Sequence, residues 1–130
     1  MVTRVLLAAM TTLLAGGAAA FAAEPEAGAT VFKKCQACHA VGEGAQNKVG
    51  PELNGLFGRS AGSVPDYNYS EANRTSGIVW TEETFAAYIR DPRGYIKGTK
   101  MTFAGLRKDS EIADLTAYLR QFKADGGISE

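Results

Sequence analysis

The sequence predicts an all-α fold in which the first and last helices cross, and short helices and long loops wrap a centre that the chain does not fill by itself. Three observations predict it. Apolar residues recur at helical spacing near both ends, at Gly28, Val31, Phe32 and Cys35 and again at Ile112, Leu115, Leu119 and Phe122. The flanks of the two cysteines carry no strand patterning. Residues 41–69 and 97–108 are loops punctuated by Gly, Pro and Asn, too long for a domain of this size to hold with its own core.

The 130 residues carry 14 basic and 14 acidic side chains, for a net charge of zero. That length allows one small domain and leaves no room for a second. With no basic run or arm, nucleic acid is excluded as the main partner.

From Met1 to about Ala23 a single positive charge, Arg4, precedes an apolar stretch that ends in small residues. This is the pattern of a secretory signal peptide, and Ala20-Phe21-Ala22 supplies an A-x-A site whose use leaves Ala23 or Glu24 as the mature start. The expected division is therefore a signal peptide over 1–23, cleaved near Ala22/Ala23, and a folded domain over 24–130. The alternative is a retained membrane anchor that tolerates the Gly16-Gly17 break. Either way the folded part lies outside the cytoplasm.

Pro25 suits a first helical position, and the helix it opens runs toward Cys35. Gly28 lets the last helix cross this one closely; the plainer reading is that it merely weakens a frayed end. Ser70 caps a short helix from Glu71 to Arg74, and Thr81 caps a better one from Glu82 to Arg90, stopped by Asp91-Pro92. Asp91 with Pro92 restarts a brief helix through Ile96. Asp109 or Ser110 caps the last helix, whose first turn carries Glu111 and Asp114 at the positive end of the dipole.

The two cysteines and the single histidine are concentrated in Cys35-Gln36-Ala37-Cys38-His39. C-x-x-C-H is the attachment sequence for c-type haem, in which two thiols add to the vinyl groups and the histidine binds iron. A zinc site needs four ligands, and no second cluster exists to complete one. A thiol-disulfide pair would need a βαβ context. A haem also supplies the missing centre, so cofactor and fold form one cooperative unit. Haem c is attached beyond the bacterial inner membrane, in agreement with the leader.

For the sixth position on iron the candidates are Met101, an amine or water. Met1 and Met10 fall in the leader, which leaves Met101 in the loop Gly98-Thr99-Lys100-Met101-Thr102-Phe103. An isolated loop methionine is ordinarily packing filler. A c-type haem with one histidine reverses that expectation: His39 and Met101 together saturate the iron, raise its potential and suit it to electron transfer.

The runs Gly50-Pro51-Glu52-Leu53-Asn54-Gly55-Leu56-Phe57-Gly58-Arg59, Tyr69 to Asn73, Gly77-Ile78-Val79-Trp80, Asp91-Pro92 and Gly98 to Leu106 resemble class I cytochrome c, most closely the bacterial type similar to the mitochondrial protein. The resemblance covers essentially the whole mature chain. It implies that Pro51 gives its carbonyl to the second nitrogen of His39, that Arg59, Tyr69 and Trp80 hold a buried haem propionate, that Tyr88, Asn73 and Thr99 form a polar network beside the methionine sulfur, and that Phe103 lies at the haem edge. Lys97 and Asn47 depart from the mitochondrial pattern, which has proline and histidine there. The first is expected to loosen the methionine loop, the second to remove a bridge that stiffens residues 41–51.

The resemblance also places Lys33, Lys34, Lys48, Lys100, Arg107 and Lys108 around the exposed haem edge, with Asp109, Glu111, Asp114, Asp125 and Glu130 toward the last helix and tail. Such a rim would steer acidic redox partners; ordinary solvated lysines are the alternative. The expectation is thus a monomeric, periplasmic carrier of single electrons with one haem c, membrane-associated only through its partners unless the leader is retained. By resemblance it links a quinol-oxidising cytochrome complex to a terminal oxidase or a photosynthetic reaction centre. A peroxide-reactive haem enzyme and a ligand-binding sensor are the rivals; the first is disfavoured because no histidine or acid–base group is left for the distal side.

Overall fold

A computed structural model describes residues 22–129. The leader expected over 1–23 therefore lies almost wholly outside the described residues, as does Glu130. In order, the helices are α1 (Pro25–Phe32), α2 (Glu71–Arg74), α3 (Glu82–Arg90), α4 (Pro92–Tyr95) and α5 (Asp109–Arg120). Among the described residues there is no strand, only isolated bridges joining Ser60 to Val79 and Phe122 to Ile128. No helix among them is long and apolar enough to cross a membrane.

α1 and α5 pack directly on each other. Gly28 makes this possible: a Cβ there would stand 2.0 Å from the carbonyl oxygen of Asp114. Val31 and Phe32 of α1 bury against the face built by Ile112, Leu115 and Leu119. Phe32, Tyr118 and Phe122 extend the contact as an aromatic row, with centroids 5.5 and 5.1 Å apart. The N-terminus of α1 is tied to the same partner, since the Glu24 N–H donates to the Asp114 carboxylate at 3.0 Å.

α2 and α3 begin where the sequence predicts. Ser70 Oγ accepts from the Asn73 N–H at 3.1 Å. Thr81 and Thr84 cap each other's backbone at 3.1 and 2.8 Å, so a threonine completes the reciprocal box more often closed by glutamate or glutamine. α3 then buries Phe85, Tyr88 and Ile89, spaced i, i+3, i+4 toward the centre. Asp91 ends α3 and caps α4 through the Gly94 N–H at 3.2 Å.

Two local expectations differ. The first helix ends at Phe32, and Cys35 to His39 lie on the tight turns that continue it, where the Cys35 N–H reaches Phe32 O at 2.7 Å and the His39 N–H reaches Cys35 O at 2.9 Å. α5 starts from Lys108 with no side-chain cap. Neither Asp109 nor Ser110 acts as that cap, because both lie inside the helix; the Asp109 carboxylate is engaged instead by the guanidinium of Arg90.

Candidate functional site

The chain wraps a partly open cavity of about 490 Å³. Its wall brings together Cys35, Cys38 and His39 with Met101, and also Pro51, Arg59, Tyr69, Asn73, Trp80, Tyr88, Thr99 and Phe103. All twelve residues singled out by the sequence thus reach one space, although they span more than half the chain. Apolar side chains from the core, among them Phe32, Leu56, Phe85 and Leu115, complete it.

His39 is fixed from behind. Its Nδ1 is 2.7 Å from the carbonyl oxygen of Pro51, which only accepts, so the ring proton sits on Nδ1 and Nε2 keeps a free lone pair. Burial, the main cause, with Arg59 and Lys48 nearby, holds the imidazole below its ordinary pKa, against the opposing Pro51 bond. A neutral imidazole with its second nitrogen engaged is the form that binds a metal. Gly50 makes the ring's seat: a Cβ there would lie 2.3 Å from His39 Cε1.

Cys35 and Cys38 are free of any disulfide. As a free thiol Cys35 is pushed up to about 11, chiefly by burial, with Cys38 adding to the rise and Lys34 opposing it. A thiol so placed less readily gives the thiolate that disulfide exchange uses. Zinc fares no better: among the described residues no group of three or more His, Cys, Asp and Glu side chains could hold a metal ion.

Tyr88 O–H stands 2.8 Å from Thr99 Oγ1 and donates to Met101 Sδ at 3.4 Å. Burial raises the phenol's pKa, so it serves as a neutral donor. The thioether is therefore held by its side facing α3. Asn73 lines the same cavity without joining this pair, and its buried Oδ1 has no partner.

Arg59 is largely buried, yet its NH1 finds only the Asn54 carbonyl at 3.1 Å and, at 3.7 Å, Glu52. A guanidinium so thinly satisfied has capacity for a further anion. Trp80 is fixed beside it by paired backbone bonds, Trp80 N–H to Arg59 O at 2.9 Å and Gly58 N–H to Trp80 O at 2.7 Å. Tyr69 accepts from the Val64 N–H at 3.1 Å.

One of the two departures is compensated, and the other falls in a closed turn. Asn47 donates to Pro65 O and accepts from the Glu52 N–H, each at 3.0 Å, so it bridges the loops that the missing histidine was expected to leave unjoined. Lys97 sits in a turn closed by the Thr99 N–H on Ile96 O at 3.1 Å, with Gly98 at φ +91° supplying the reversal.

A sequence-family model described as cytochrome c matches residues 25–123. The chain belongs to the cytochrome c family. It is 52% identical to the cytochrome c2 of Blastochloris viridis over 123 residues, 95% of this chain and 97% of that protein. It is 59% identical to the cytochrome c-550 of Bradyrhizobium diazoefficiens over 104 residues, 80% of this chain and 76% of that protein. The structure of cytochrome c2 from Rhodospirillum centenum matches with a TM-score of 0.74 at 40% identity, covering 77% of this chain and 98% of that one.

As a cytochrome c the chain is an electron carrier rather than an enzyme, and it binds one haem c covalently. The cavity fits that group. It is mainly apolar, it offers the two thiols and a neutral imidazole, and it holds an under-satisfied guanidinium for an acidic substituent. Sequence reasoning missed Tyr67, which also lines the cavity. The available signal was the pair Tyr67 and Tyr69, two aromatics in a loop otherwise rich in turn residues.

Proposed function

We propose that this cytochrome c carries single electrons in the periplasm, with its haem iron held between His39 Nε2 and Met101 Sδ and the porphyrin linked through Cys35 and Cys38. The observation that carries the reading is that both candidate ligands line one cavity and each is held by a second group, Pro51 O for the imidazole and Tyr88 O–H for the thioether. The haem supplies the redox centre. The protein's part is to keep two ligands in place, so that no coordination position is left for a small-molecule substrate.

In this reading Arg59, Tyr69 and Trp80 hold a propionate, Asn73 and Thr99 line the methionine side, and Phe103 packs at the haem edge. An anion placed beside Arg59 would relieve a cation that is otherwise buried with little compensation.

Residues 1–23 act as the signal peptide, cleaved near Ala22/Ala23. Support comes from the charge and A-x-A pattern, and from the Blastochloris viridis match, whose 123 residues exceed the domain over 24–130 and so take in part of the leader. The carrier works as a monomer. Its donor is a quinol-oxidising cytochrome complex and its acceptor a haem-copper oxidase or a photosynthetic reaction centre.

Docking uses the cationic rim. Lys34 and Lys100 line the cavity. Lys48, Arg107 and Lys108 are exposed. Lys34 is already paired with Glu111 at 2.9 Å, so Lys48, Lys100, Arg107 and Lys108, which make no ion pair among the described residues, carry more of the steering.

Absorption spectra of the purified periplasmic protein test the reading. Covalent haem together with the weak near-infrared charge-transfer band of methionine-ligated ferric haem is the expected result. Covalent haem without that band, or carbon monoxide binding by the reduced protein at neutral pH, would overturn His/Met ligation.

A further inference from the structure

Three segments of the cavity wall meet at Tyr67. Its O–H donates to the carbonyl of Val49 at 2.6 Å. Val49 is followed by Gly50, whose N–H bonds Cys38 O at 2.8 Å, so this contact belongs to the attachment side of the cavity. The ring carries the Lys100 ammonium 4.7 Å from its centroid. That ammonium also donates to the carbonyl of Asn68, and Lys100 is the residue before Met101. A third contact runs to Tyr69, edge to face with centroids 4.7 Å apart.

The Met101 segment is therefore gripped from two directions. Tyr88 holds the sulfur from α3, and Lys100 anchors the backbone to the Tyr67 ring and the Asn68 carbonyl. For Met101 to leave the cavity, the segment must swing outward, and the Lys100 contacts break as it does. The phenol in turn is kept in place by Val49. The Tyr67 O–H thus acts on Met101 through Lys100, without touching the sulfur.

We propose that Tyr67 is a positioning residue that fastens the attachment side of the cavity to the methionine segment and so keeps Met101 seated against competing ligands. The inference rests on the His39/Met101 reading above. It assigns a role in holding the axial ligand to a side chain that contacts neither cysteine nor Met101 by hydrogen bond.

The test titrates imidazole into the ferric holoprotein, following the Soret shift and the loss of the near-infrared band, with thermal unfolding recorded in parallel. Tyr67→Phe loses the bond to Val49 and keeps the ring, and should bind imidazole about three- to tenfold more tightly, the range of one net hydrogen bond. Tyr67→Leu should exceed it. Lys100→Gln should show a gain of a few-fold. The Tyr67→Leu/Lys100→Gln pair should fall short of the product of its single effects, because both remove one shared contact. If Tyr67→Leu fails to take up haem, Tyr67→Phe and Lys100→Gln decide by the same criterion. Affinity within about twofold of the unsubstituted protein in the tyrosine variants, even with a lowered melting temperature, would reduce Tyr67 to a structural residue and overturn the inference. Independent, multiplying effects in the double variant would overturn it as well. An unsubstituted protein lacking the near-infrared band would remove the ligation reading and this inference together; a band with unmoved affinities removes the inference alone.

Discussion

Gly28 and Asp114 approach so closely that the glycine's missing side chain sets the distance between the first and last helices. An added Cβ would meet the Asp114 carbonyl oxygen at 2.0 Å and Tyr118 Cβ at 2.6 Å. Gly28→Ala gains about 1 kcal/mol of helix propensity. Against this stands an overpacking cost of about 1–3 kcal/mol, at its upper end here because one obstacle is backbone. The expected net loss of about 2 kcal/mol is readable by urea unfolding of the holoprotein, and a variant of unchanged stability would contradict the close crossing.

Gly50 plays the same part for the histidine. Gly50→Ala places a methyl 2.3 Å from His39 Cε1, and the imidazole must turn or retreat. The expected outcome is poorer haem incorporation and, in what is recovered, a shifted reduction potential. Normal yield and potential would show that the ring has room to spare.

Asn47 joins two loops with one side chain, through Pro65 O and the Glu52 N–H. Asn47→Ala removes both bonds and should cost about 1–3 kcal/mol at roughly 0.5–1.5 each. Because the amide does not titrate, this bridge should hold without change from pH 5 to 8, unlike an imidazole in its place. Unfolding midpoints across that range check both statements.

With Met101 on the iron as proposed, Met101→Ala removes the thioether that favours ferrous iron, so the reduction potential should drop substantially and the near-infrared band should vanish. Voltammetry beside absorption spectra checks this. An unchanged potential and spectrum would mean that another group binds the iron.

Neutralising Lys48, Lys100, Arg107 and Lys108 together should slow electron transfer to an acidic partner on the order of tenfold at low ionic strength, with the difference fading at high salt. Lys34→Gln alone should do less than Arg107→Gln, since Glu111 already offsets Lys34. Equal rates at low salt would leave the rim without a steering role.

What the sequence made legible was chemistry confined to a few neighbouring residues. Cys35 to His39 announces its cofactor within five positions, and Ser70 and Thr81 announce their helices within three, because a cap reads only the next turn. Misread features depend on partners far along the chain. Asp109 looked like a cap, yet it lies inside the helix with its carboxylate on Arg90, 19 residues away. Asn47 looked like a lost bridge because Pro65 O, 18 residues on, is a backbone atom that no side-chain pattern marks. Tyr67 was missed for the same reason, as its hydrogen-bond partner is the carbonyl of Val49.

The cavity itself has a consequence for the protein's life before it carries electrons. Phe32, Leu56, Trp80, Phe85, Leu115 and Leu119 belong to one core cluster and also line a space of about 490 Å³. The group that fills that space adds apolar contact to a core that is small for a domain of this size. Along the proposed export route, a chain that still lacks this contact is expected to be less stable than the finished protein, which would ease its passage through a translocation channel. Attachment through Cys35 and Cys38, as proposed, would then add stability that the polypeptide lacks alone. A chain that never receives that attachment would be expected to meet proteases more readily, so attachment would also serve as inspection.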